Sequence, residues 1–502
     1  MPNLLYDALI GQHAGAATPF LQAASGHIQS HAAFLANAAR FAHAMAGLGL
    51  TPGDRVALQV DKSADALAVY AACVQSGLVF LPLNPAYTPA EVGYFIGNSG
   101  AALLLSSPGK AAALAQVAGR HGAQLQTLDQ DGTGTLADLA DGQPDQFQTV
   151  HRDPDDLAAI LYTSGTTGRA KGAMLTQNNL LSNARVLTKH WEFTARDVLL
   201  HALPIFHTHG LFVATNVTLL AGGSMIFLPR FDPEAMICHL PQATTMMGVP
   251  TFYTRLLDDP RLDAGLTAHM RLFISGSAPL LAETHRQWTA RTGHRILERY
   301  GMTETNMTTS NPCHGDRRPG TVGLPLPGVD LRICDAAGVP VPPGDIGTIE
   351  VRGPNVFAGY WGLPEKTVEE MRKDGFFSTG DLGVQDADGY VTIVGRARDL
   401  IISGGLNIYP SEVEAALDAL PGVLESAVIG VPDADMGEVA VAVVVPVAGA
   451  TLDAEAMLLA LGQTLARFKL PRRIVLREGL PRNAMGKVMK AVLRGEVAGV
   501  GP

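Results

Sequence analysis

Apolar and polar positions follow two alternating periods along the chain. Residues 32–50, AAFLANAARFAHAMAGLGL, place apolar residues every three or four positions, which predicts a helix that ends near glycine. The apolar runs DRVALQV (54–60) and VFLPLNP (79–85) predict strands, and SADALAVYAACVQSG (63–77) predicts a helix between them. The same order returns between residues 195 and 300. This alternation predicts βαβ units on largely parallel sheets, arranged as two α/β halves of one large domain.

The pattern changes near residue 320. Glycine, proline and short alternating segments fill residues 321–353, which predicts a β-rich subdomain. Strands and helices alternate again at the end of the chain, so residues 401–502 are predicted to form a small α+β domain, joined to residues 1–395 through residues 396–400. Within it, Ser411 is a predicted N-cap, because Glu414 follows in capping-box spacing.

Composition narrows the class of protein. The chain has 502 residues, more than fold around one hydrophobic core, so we expect several domains. Its residues are 47% hydrophobic and 17% charged, which predicts a globular rather than a disordered protein. The net charge of −10 argues against a nucleic-acid binder, so any anion site must be built locally. The four cysteines lack metal-site or disulfide spacing, and we find neither a signal peptide nor a transmembrane run. We therefore expect a soluble, cytoplasmic protein.

A glycine-rich loop follows a predicted buried strand at residues 162–172, YTSGTTGRAKG. Threonine and serine hydroxyls, with backbone N–H groups freed by glycine, suit a polyphosphate, and Lys171 adds a positive charge. The loop is not a Walker A motif, because Ala170 and Gly172 flank the lysine where glycine and a hydroxyl are required. A helix is predicted to begin near Gln177. From composition alone, a surface turn remains an alternative.

Five further motifs accompany this loop in a fixed order. They are IFHTHG (205–210), YGMTET (300–305), STGDLG (378–383), GRARDLIISGGLNIYP (395–410) and PRNAMGK (481–487). The set resembles the adenylate-forming superfamily of acyl-CoA synthetases, peptide-synthetase adenylation domains and luciferases. HALPIFHTHGLFVATNVTL, GVPTFYTRLL and MRLFISGSAPLLAETHRQW are similar to malonyl-CoA synthetases in particular.

This resemblance implies a two-step reaction. ATP and an acid would bind residues 1–395 and form an acyl-adenylate, with residues 401–502 as a mobile lid. Coenzyme A would then take the acyl group, so that malonate, and methylmalonate as a second acid, gives malonyl-CoA, AMP and pyrophosphate. ATP, Mg²⁺ and coenzyme A are the implied small-molecule partners.

The resemblance also implies roles for individual residues. The implied ATP site comprises Thr163, Ser164, Gly165, Thr166, Thr167, Gly168, Lys171 and Thr303 at the phosphates, Gly276, Ala278, Pro279, Tyr300 and Gly301 at the adenine, and Asp381 and Arg396 at the ribose. Glu304 matches the magnesium-associated acid. Lys487 matches the lysine that reaches the α-phosphate and the substrate carboxylate, and its acetylation by a lysine acetyltransferase would remove that charge.

The second step has its own implied residues. Asp399 falls at the family's hinge, within residues 396–400. Ser403, Gly404 and Gly405 would line the channel for the pantetheine arm of coenzyme A, since glycine lets backbone approach a narrow ligand closely.

A malonate-like acid keeps a second negative charge, which a buried site must match with a cation. We favour Arg286 for this partner, with Arg255, His207 and His209 as further candidates and Ser277 as a neutral donor. His207 also matches the family's histidine beside the reacting carboxylate. Gly301 and Met302 would limit the length of the acid.

Three other functions stay open at this point. An uncharged pocket would favour a short or aromatic monocarboxylate instead of malonate. A carrier-protein loading module would normally continue into a carrier domain. A non-catalytic nucleotide-binding protein would be expected to lack Lys487, Glu304 or Asp381, and all three are present.

Overall fold

The computed structural model describes residues 3–163, 170–404, 406–433, 436–483 and 486–498. Contacts between Cα atoms divide the chain into two compact units. The first unit consists of Met1–Asp330 with Val351–Phe377, and the second consists of Leu331–Glu350 with Ser378–Pro502. The predicted junction at residues 396–400 lies inside the second unit and stays a prediction.

The strands, in chain order, are β1 (Pro19–Ala23), β2 (Ile28–Ser30), β3 (Arg55–Gln59), β4 (Val79–Pro82), β5 (Leu103–Ser106), β6 (Gln124–Thr127), β7 (Leu157–Thr163), β8 (Lys171–Thr176), β9 (Val198–His201), β10 (Ser224–Phe227), β11 (Thr245–Gly248), β12 (Leu272–Ser275), β13 (Leu297–Met302), β14 (Asn306–Ser310), β15 (Leu324–Pro325), β16 (Asp330–Cys334), β17 (Gly347–Arg352), β18 (Gly359–Tyr360), β19 (Phe377–Gln385), β20 (Val391–Arg396), β21 (Ile401–Ser403), β22 (Leu406–Ile408), β23 (Val423–Asp433), β24 (Gly437–Pro446) and β25 (Arg473–Leu476).

The helices are α1 (Leu4–Leu9), α2 (His31–Gly47), α3 (Ala64–Ser76), α4 (Pro89–Ser99), α5 (Pro108–Arg120), α6 (Thr135–Ala140), α7 (Gln177–His190), α8 (Asn216–Ala221), α9 (Pro233–His239), α10 (Pro250–Leu257), α11 (Ala264–Thr267), α12 (Ala282–Thr292), α13 (Pro364–Glu370), α14 (Pro410–Asp418), α15 (Ala454–Leu461) and α16 (Lys490–Ala498). Short 3-10 turns and one π-helical segment, His209–Thr215, lie between them.

Two large sheets organise the first unit. One has seven strands in the order β18-β8-β7-β4-β3-β5-β6, and the other has nine in the order β15-β14-β13-β12-β11-β9-β10-β1-β2. Neighbours from β3 to β7 in the first sheet and from β9 to β13 in the second pair in parallel. The predicted βαβ units and the two α/β halves are therefore confirmed.

The predicted helices of the first half form where local signals support them. Ser30 accepts a hydrogen bond from the Ala33 N–H and begins α2, and Ser63 does the same for the Ala66 N–H at the start of α3. Helix α3 ends at Gly77, whose φ of 72° lies in the left-handed region. The helix predicted near Gln177 is α7, but strand β8 precedes it, so the glycine-rich loop joins two antiparallel strands.

The second unit combines smaller sheets. β16, β17, β19 and β20 form a four-stranded sheet, and β22-β21-β24-β23 with β25 form another. The predicted helix at residues 410–420 is α14, but Ser411 is not its N-cap: Tyr409 holds that position without a side-chain cap. Ser411 instead donates its hydroxyl to the Val394 carbonyl, and Glu414 accepts the Val428 N–H at 2.7 Å.

The mixed α/β class with a β-rich part and a small C-terminal α+β part is confirmed. Among the described residues, no helix has both the length and the apolar composition needed to cross a membrane.

Candidate active site

The predicted site residues of the first unit gather where parallel strands end. The 202–209 segment follows β9, the 276–280 turn follows β12, and Tyr300–Glu304 completes and follows β13. In open α/β sheets, ligands bind outside the carboxyl ends of the strands, so this arrangement is typical of a binding site.

A cluster of hydroxyls and carboxylates lies beside the glycine-rich loop. Thr163, at the end of β7, donates its hydroxyl to Glu304 Oε1 at 3.2 Å. Glu304 is 4% exposed, and the Tyr360 hydroxyl lies 3.1 Å from its Oε1 and 2.7 Å from Glu370 Oε2. Burial and the neighbouring Glu304 raise the pKa of Tyr360, so the phenol remains protonated and can donate. Carboxylate and hydroxyl oxygens are the donors that Mg²⁺ prefers, so this cluster fits the metal.

Lys171 is held in the same cluster. Its Nζ lies 3.0 Å from Glu370 Oε1 and 3.9 Å from the centre of the Tyr360 ring. Sequence reasoning missed both Tyr360 and Glu370. Strand β18 brings Tyr360 opposite Ala173 of β8, a pairing between distant parts of the chain that no local motif signals.

Part of the predicted loop lies outside the residues that the structure describes. Ser164, Gly165, Thr166, Thr167 and Gly168 lie outside the described residues, as does Gly405. Their implied roles at the phosphates and at the coenzyme A channel stay predictions.

A second cluster contains the buried His209 and the half-buried His207. His209 Nδ1 lies 3.2 Å from Ser277 Oγ, and burial lowers the pKa of His209 well below its usual value, with Arg299 as the next cause. Burial also lowers the pKa of His207 to about 4. Both imidazoles are therefore neutral near pH 7. Ser277 has a φ of 73°, a left-handed conformation that is costly for serine and that collects at functional sites.

Arg299 is a buried cation in this cluster. It sits on β13 between Glu298 and Tyr300 and is 3% exposed. Its Nε and Nη2 are buried without a hydrogen-bond partner in the part of the chain that the structure describes. Burial lowers its pKa to about 9, which still leaves the guanidinium charged at neutral pH. A buried, unpaired cation is expensive, so this group is suited to an anionic ligand.

The arginines favoured from sequence are both exposed, and their role at the acid stays a prediction. Arg286, on α12, has a side chain that is 64% exposed and pairs with Glu283 at 2.8 Å. Arg255 is exposed in the last turn of α10. Neither is brought into contact with the His209–Ser277 pair in the described hydrogen bonds. Arg299, which sequence reasoning missed, directly precedes the YGMTET motif. The charged pair Glu298 and Arg299, directly after the apolar Ile296 and Leu297, was its available signal.

The residues predicted at the adenine lie on two neighbouring segments. Gly276, Ala278 and Pro279 belong to the turn after β12, while Tyr300, Gly301 and Met302 belong to β13, with Thr303 just beyond. β12 and β13 are parallel neighbours, so the two segments share one end of the sheet.

Asp381 and Arg396 are paired in the second unit. They face each other across β19 and β20, and Arg396 Nε lies 2.6 Å from Asp381 Oδ1. Asp381 is 4% exposed, so its carboxylate is buried against this cation.

Lys487 lies near this pair. Its backbone N–H donates to Asn483 Oδ1 at 3.0 Å. Surrounding protein atoms and the charge of Arg396 lower the pKa of its ammonium group, while Asp381 opposes the shift, although the side chain retains solvent exposure. The structure therefore brings Lys487, Asp381 and Arg396 together within the second unit.

The residues predicted for the second step also belong to this unit. Asp399 accepts a hydrogen bond from Arg494 Nη2 at 2.8 Å. Ser403 is buried at the end of β21, and Gly404, with a φ of 55°, donates its N–H to the Met436 carbonyl.

Known proteins resemble this chain over most of its length. Residues 12–361 match the family model for AMP-binding enzymes, and residues 412–487 match the model for their C-terminal domain. The chain is similar to the crystal structure of ATP-bound MatB from Rhodopseudomonas palustris, with 55% identity, a TM-score of 0.98 and 99% of each chain covered. It is 38% identical to the malonate–CoA ligase of Arabidopsis thaliana, covering 89% of this chain and 79% of that one. It is also 38% identical to a feruloyl-CoA synthase of an Amycolatopsis species, covering 91% of each.

Proposed function

The chain belongs to the AMP-binding enzyme family, and from this we propose that it is an AMP-forming malonate–CoA ligase. In the first step, a malonate carboxylate oxygen attacks the α-phosphorus of ATP, and the bond to pyrophosphate breaks. In the second step, the thiol sulfur of coenzyme A attacks the acyl carbon, its proton is lost, and AMP leaves. Methylmalonate is the second acid that we expect to be accepted.

The observation that carries this proposal is the buried guanidinium of Arg299. Malonate keeps one carboxylate after the other has reacted, and that charge cannot be buried without a matching cation. Arg299 supplies a cation whose Nε and Nη2 have no partner among the described residues. A carboxylate would satisfy both nitrogens with a bidentate geometry. We therefore favour Arg299 over Arg286 and Arg255 as the partner of the distal carboxylate.

The two histidines of this cluster, of which His209 interacts with Arg299, support the same assignment. As neutral imidazoles, His207 and His209 can donate a hydrogen bond to a carboxylate without competing with Arg299 for its charge. Ser277 can donate to His209 Nδ1, which would leave the buried His209 Nε2 to carry the proton. His209 Nε2 has no partner in the described structure, so it is available to the acid.

The hydroxyl and carboxylate cluster would serve the triphosphate. Glu304, with the Thr163 hydroxyl beside it, would hold Mg²⁺, whose charge would stabilise the negative charge on the phosphoryl oxygens. Lys171 would exchange Glu370 for a phosphate oxygen, since both offer an anionic acceptor. Thr303 directly precedes Glu304 in the chain and would contact the same phosphates.

The second unit would bind the ribose and activate the α-phosphate. Asp381 accepts hydrogen bonds, which suits a vicinal diol, and Arg396 fixes its orientation. Lys487 would stabilise the charge that develops as the carboxylate oxygen bonds to phosphorus, which lowers the barrier rather than only tightening binding. Ser403 and Gly404 would line the pantetheine channel, and Asp399 would lie at the hinge.

The alternative function is an acyl-CoA synthetase for an aromatic or short monocarboxylate. The sequence identity to a feruloyl-CoA synthase supports this alternative. The rate of pyrophosphate release distinguishes the proposed function from this alternative. It would be measured with ATP, Mg²⁺ and coenzyme A for each of these acids: malonate, methylmalonate, succinate, acetate, butyrate, benzoate and ferulate. The proposal expects malonate to have the highest kcat/KM. A higher value for butyrate, benzoate or ferulate would leave the adenylate chemistry intact and overturn malonate as the substrate.

A lysine acetyltransferase acting on Lys487 and a cytoplasmic location complete the proposal. Acetylation would remove the charge on which the first step depends. The site supports malonyl supply and malonate disposal equally.

A further inference from the structure

We propose that Lys62 is a positioning residue for the acid half of the reaction: it fixes the proton on His201 and thereby holds the turn that carries His207 and His209. The inference rests on the proposed function, because it concerns the same acid site. Lys62 itself lies outside every motif that resembles the family.

Lys62 is buried in an unusual setting for a lysine. It lies between β3 and α3, is 8% exposed, and has no carboxylate partner within the described residues. Its Nζ lies 2.9 Å from His201 Nδ1 and 2.8 Å from the His201 carbonyl oxygen, and 4.1 Å from the centre of the Phe227 ring. Burying a lysine without an anion is costly. Packing alone therefore does not explain why a lysine occupies this position.

The contact determines where the His201 ring carries its proton. Lys62 donates to the His201 carbonyl, and as an ammonium group it offers Nδ1 of His201 only a further donor, so Nδ1 accepts. The remaining proton of the neutral imidazole is then on Nε2, which donates to the Gly210 carbonyl at 2.9 Å. Burial, with the charge of Lys62 as the next cause, lowers the pKa of His201 well below its usual value, which keeps the imidazole neutral.

The Gly210 carbonyl is part of the turn that carries the acid-site histidines. Thr215 donates its hydroxyl to the same oxygen at 2.9 Å, so both acceptor positions of this carbonyl are used. Gly210 also packs against the start of the turn, because a Cβ atom there would overlap the Pro204 carbonyl. The two ends of the segment from Pro204 to Gly210 are therefore in contact, and His207 and His209 lie between them in the chain.

The helical geometry that follows needs this anchor. His209–Thr215 forms a π-helical segment, a rare conformation that is found often at functional sites. His201 Nε2 and Thr215 Oγ1 bond the Gly210 carbonyl at the first turn of that segment. If His201 carried its proton on Nδ1, Nε2 and the Gly210 carbonyl would both be acceptors, and their 2.9 Å contact would be lost. Nε2 would then keep only the longer contact with the Thr215 hydroxyl, at 3.4 Å.

The first test is the state of His201 in the wild-type protein. Long-range ¹⁵N NMR of the ¹⁵N-histidine-labelled full chain reports which ring nitrogen is protonated, and the His201→Gln spectrum identifies the His201 signals by their absence. The proposal expects the Nε2-protonated form. Protonation on Nδ1 would overturn it, and this result does not depend on any Lys62 variant being folded or on which acid is used.

The second test separates positioning from stability. Lys62→Met keeps most of the side-chain volume and removes the donors. Lys110→Met is the matched control, because Lys110 donates to the Pro85 carbonyl and has no hydrogen bond to a histidine among the described residues. We expect Lys62→Met to lower kcat/KM for the acid about tenfold, with the KM for ATP unchanged and the control unaffected. Equal losses for acid and ATP, or no loss, would overturn the proposal.

A double variant provides the rescue. Gln at position 201 offers an amide donor for the Gly210 carbonyl without needing Lys62 to fix a tautomer. Lys62→Met/His201→Gln is therefore expected to be no worse than His201→Gln alone, whereas independent effects would multiply. Wild-type activity with malonate, measured alongside, tests the proposed function separately: a wild type inactive on malonate sinks that function, while the NMR result stands.

Discussion

The guanidinium carbon of Arg299 would lie 2.5 Å from a Cβ atom at position 276, so this buried cation packs directly against the backbone of Gly276. The contact joins the turn after β12 to strand β13. It also explains why residue 276 must be small: any side chain there has to displace the Arg299 head group.

Gly276→Ala is therefore expected to move Arg299 and to weaken malonate binding. We expect the KM for malonate to rise about tenfold, because a displaced charged partner loses part of a strong hydrogen bond. Gly47→Ala is the control, since a Cβ at position 47 meets nothing within 4 Å. Steady-state kinetics with malonate and ATP varied in turn would measure the effect, and an unchanged KM for malonate would argue against the Arg299 assignment.

Glu370→Gln should destabilise the first unit. Lys171 has a side chain that is 10% exposed, and the substitution leaves its ammonium group without a matching charge. We expect a loss of about 2 kcal/mol in the free energy of unfolding, since removing one partner of a buried pair is costly. Glu369→Gln, at an exposed pair with Lys366, should change it by less than about 0.5 kcal/mol. Thermal unfolding that ranked the two variants equally would contradict this.

Glu298 should make stability depend on pH. It accepts the Leu280 N–H at 3.3 Å, and burial raises its pKa to about 8. In the unfolded chain a glutamate ionises near pH 4.3. The folded protein therefore retains a proton that the unfolded chain has lost, and stability falls as pH rises from the unfolded pKa to the folded one.

The comparison is wild type with Glu298→Gln, which cannot ionise. Between pH 5.5 and 7.5 the wild type is expected to lose about 1.4 kcal/mol per pH unit relative to the variant. Unfolding midpoints measured at pH 5.5, 6.5 and 7.5 would show this as a fall in the midpoint of the wild type relative to that of the variant as pH rises. Parallel curves would mean that Glu298 is ionised in the folded protein.

Acetylation of Lys487 should stop the first step and spare the second. Its lowered pKa makes the neutral, reactive amine more available, and acetylation removes the charge that the α-phosphate needs. Protein carrying acetyl-lysine at position 487 should form adenylate about 100-fold more slowly, yet convert synthetic malonyl-adenylate and coenzyme A at a near-normal rate. Lys373→Gln, at an exposed lysine, is the control for a lost surface charge. Equal adenylation rates would rule out this switch.

The sequence predicted those parts of the fold that depend on local signals. Helices α2 and α3 have serine caps and regular apolar spacing, and both form where the pattern placed them. Ser411 was assigned wrongly as a cap, because the Val394 carbonyl offers its hydroxyl another acceptor. Strand β8 was missed because its sequence, Lys171–Thr176, carries no local strand signal. These residues form a strand through their pairing with β7.

The candidate site divides in the same way. Motifs placed Thr163, Glu304, Asp381 and Lys487, since each stands in a contiguous stretch with recognisable chemistry. Tyr360 and Glu370 come from a distant segment, and their contact with Glu304 and Lys171 exists only in the fold. The proposal of Arg299 in place of Arg286 rests on burial, which the spacing of residues on α12 and β13 does not reveal.

Arg299 is the proposed partner of the distal carboxylate of malonate. The most direct test of this role is kcat/KM for malonate and for butyrate in Arg299→Met, with Arg286→Met as the matched control at an exposed arginine. We predict that Arg299→Met loses at least about 100-fold on malonate while butyrate use is kept or gained, and that the control stays near wild type. Loss of malonate use in Arg286→Met with little change in Arg299→Met would contradict the account.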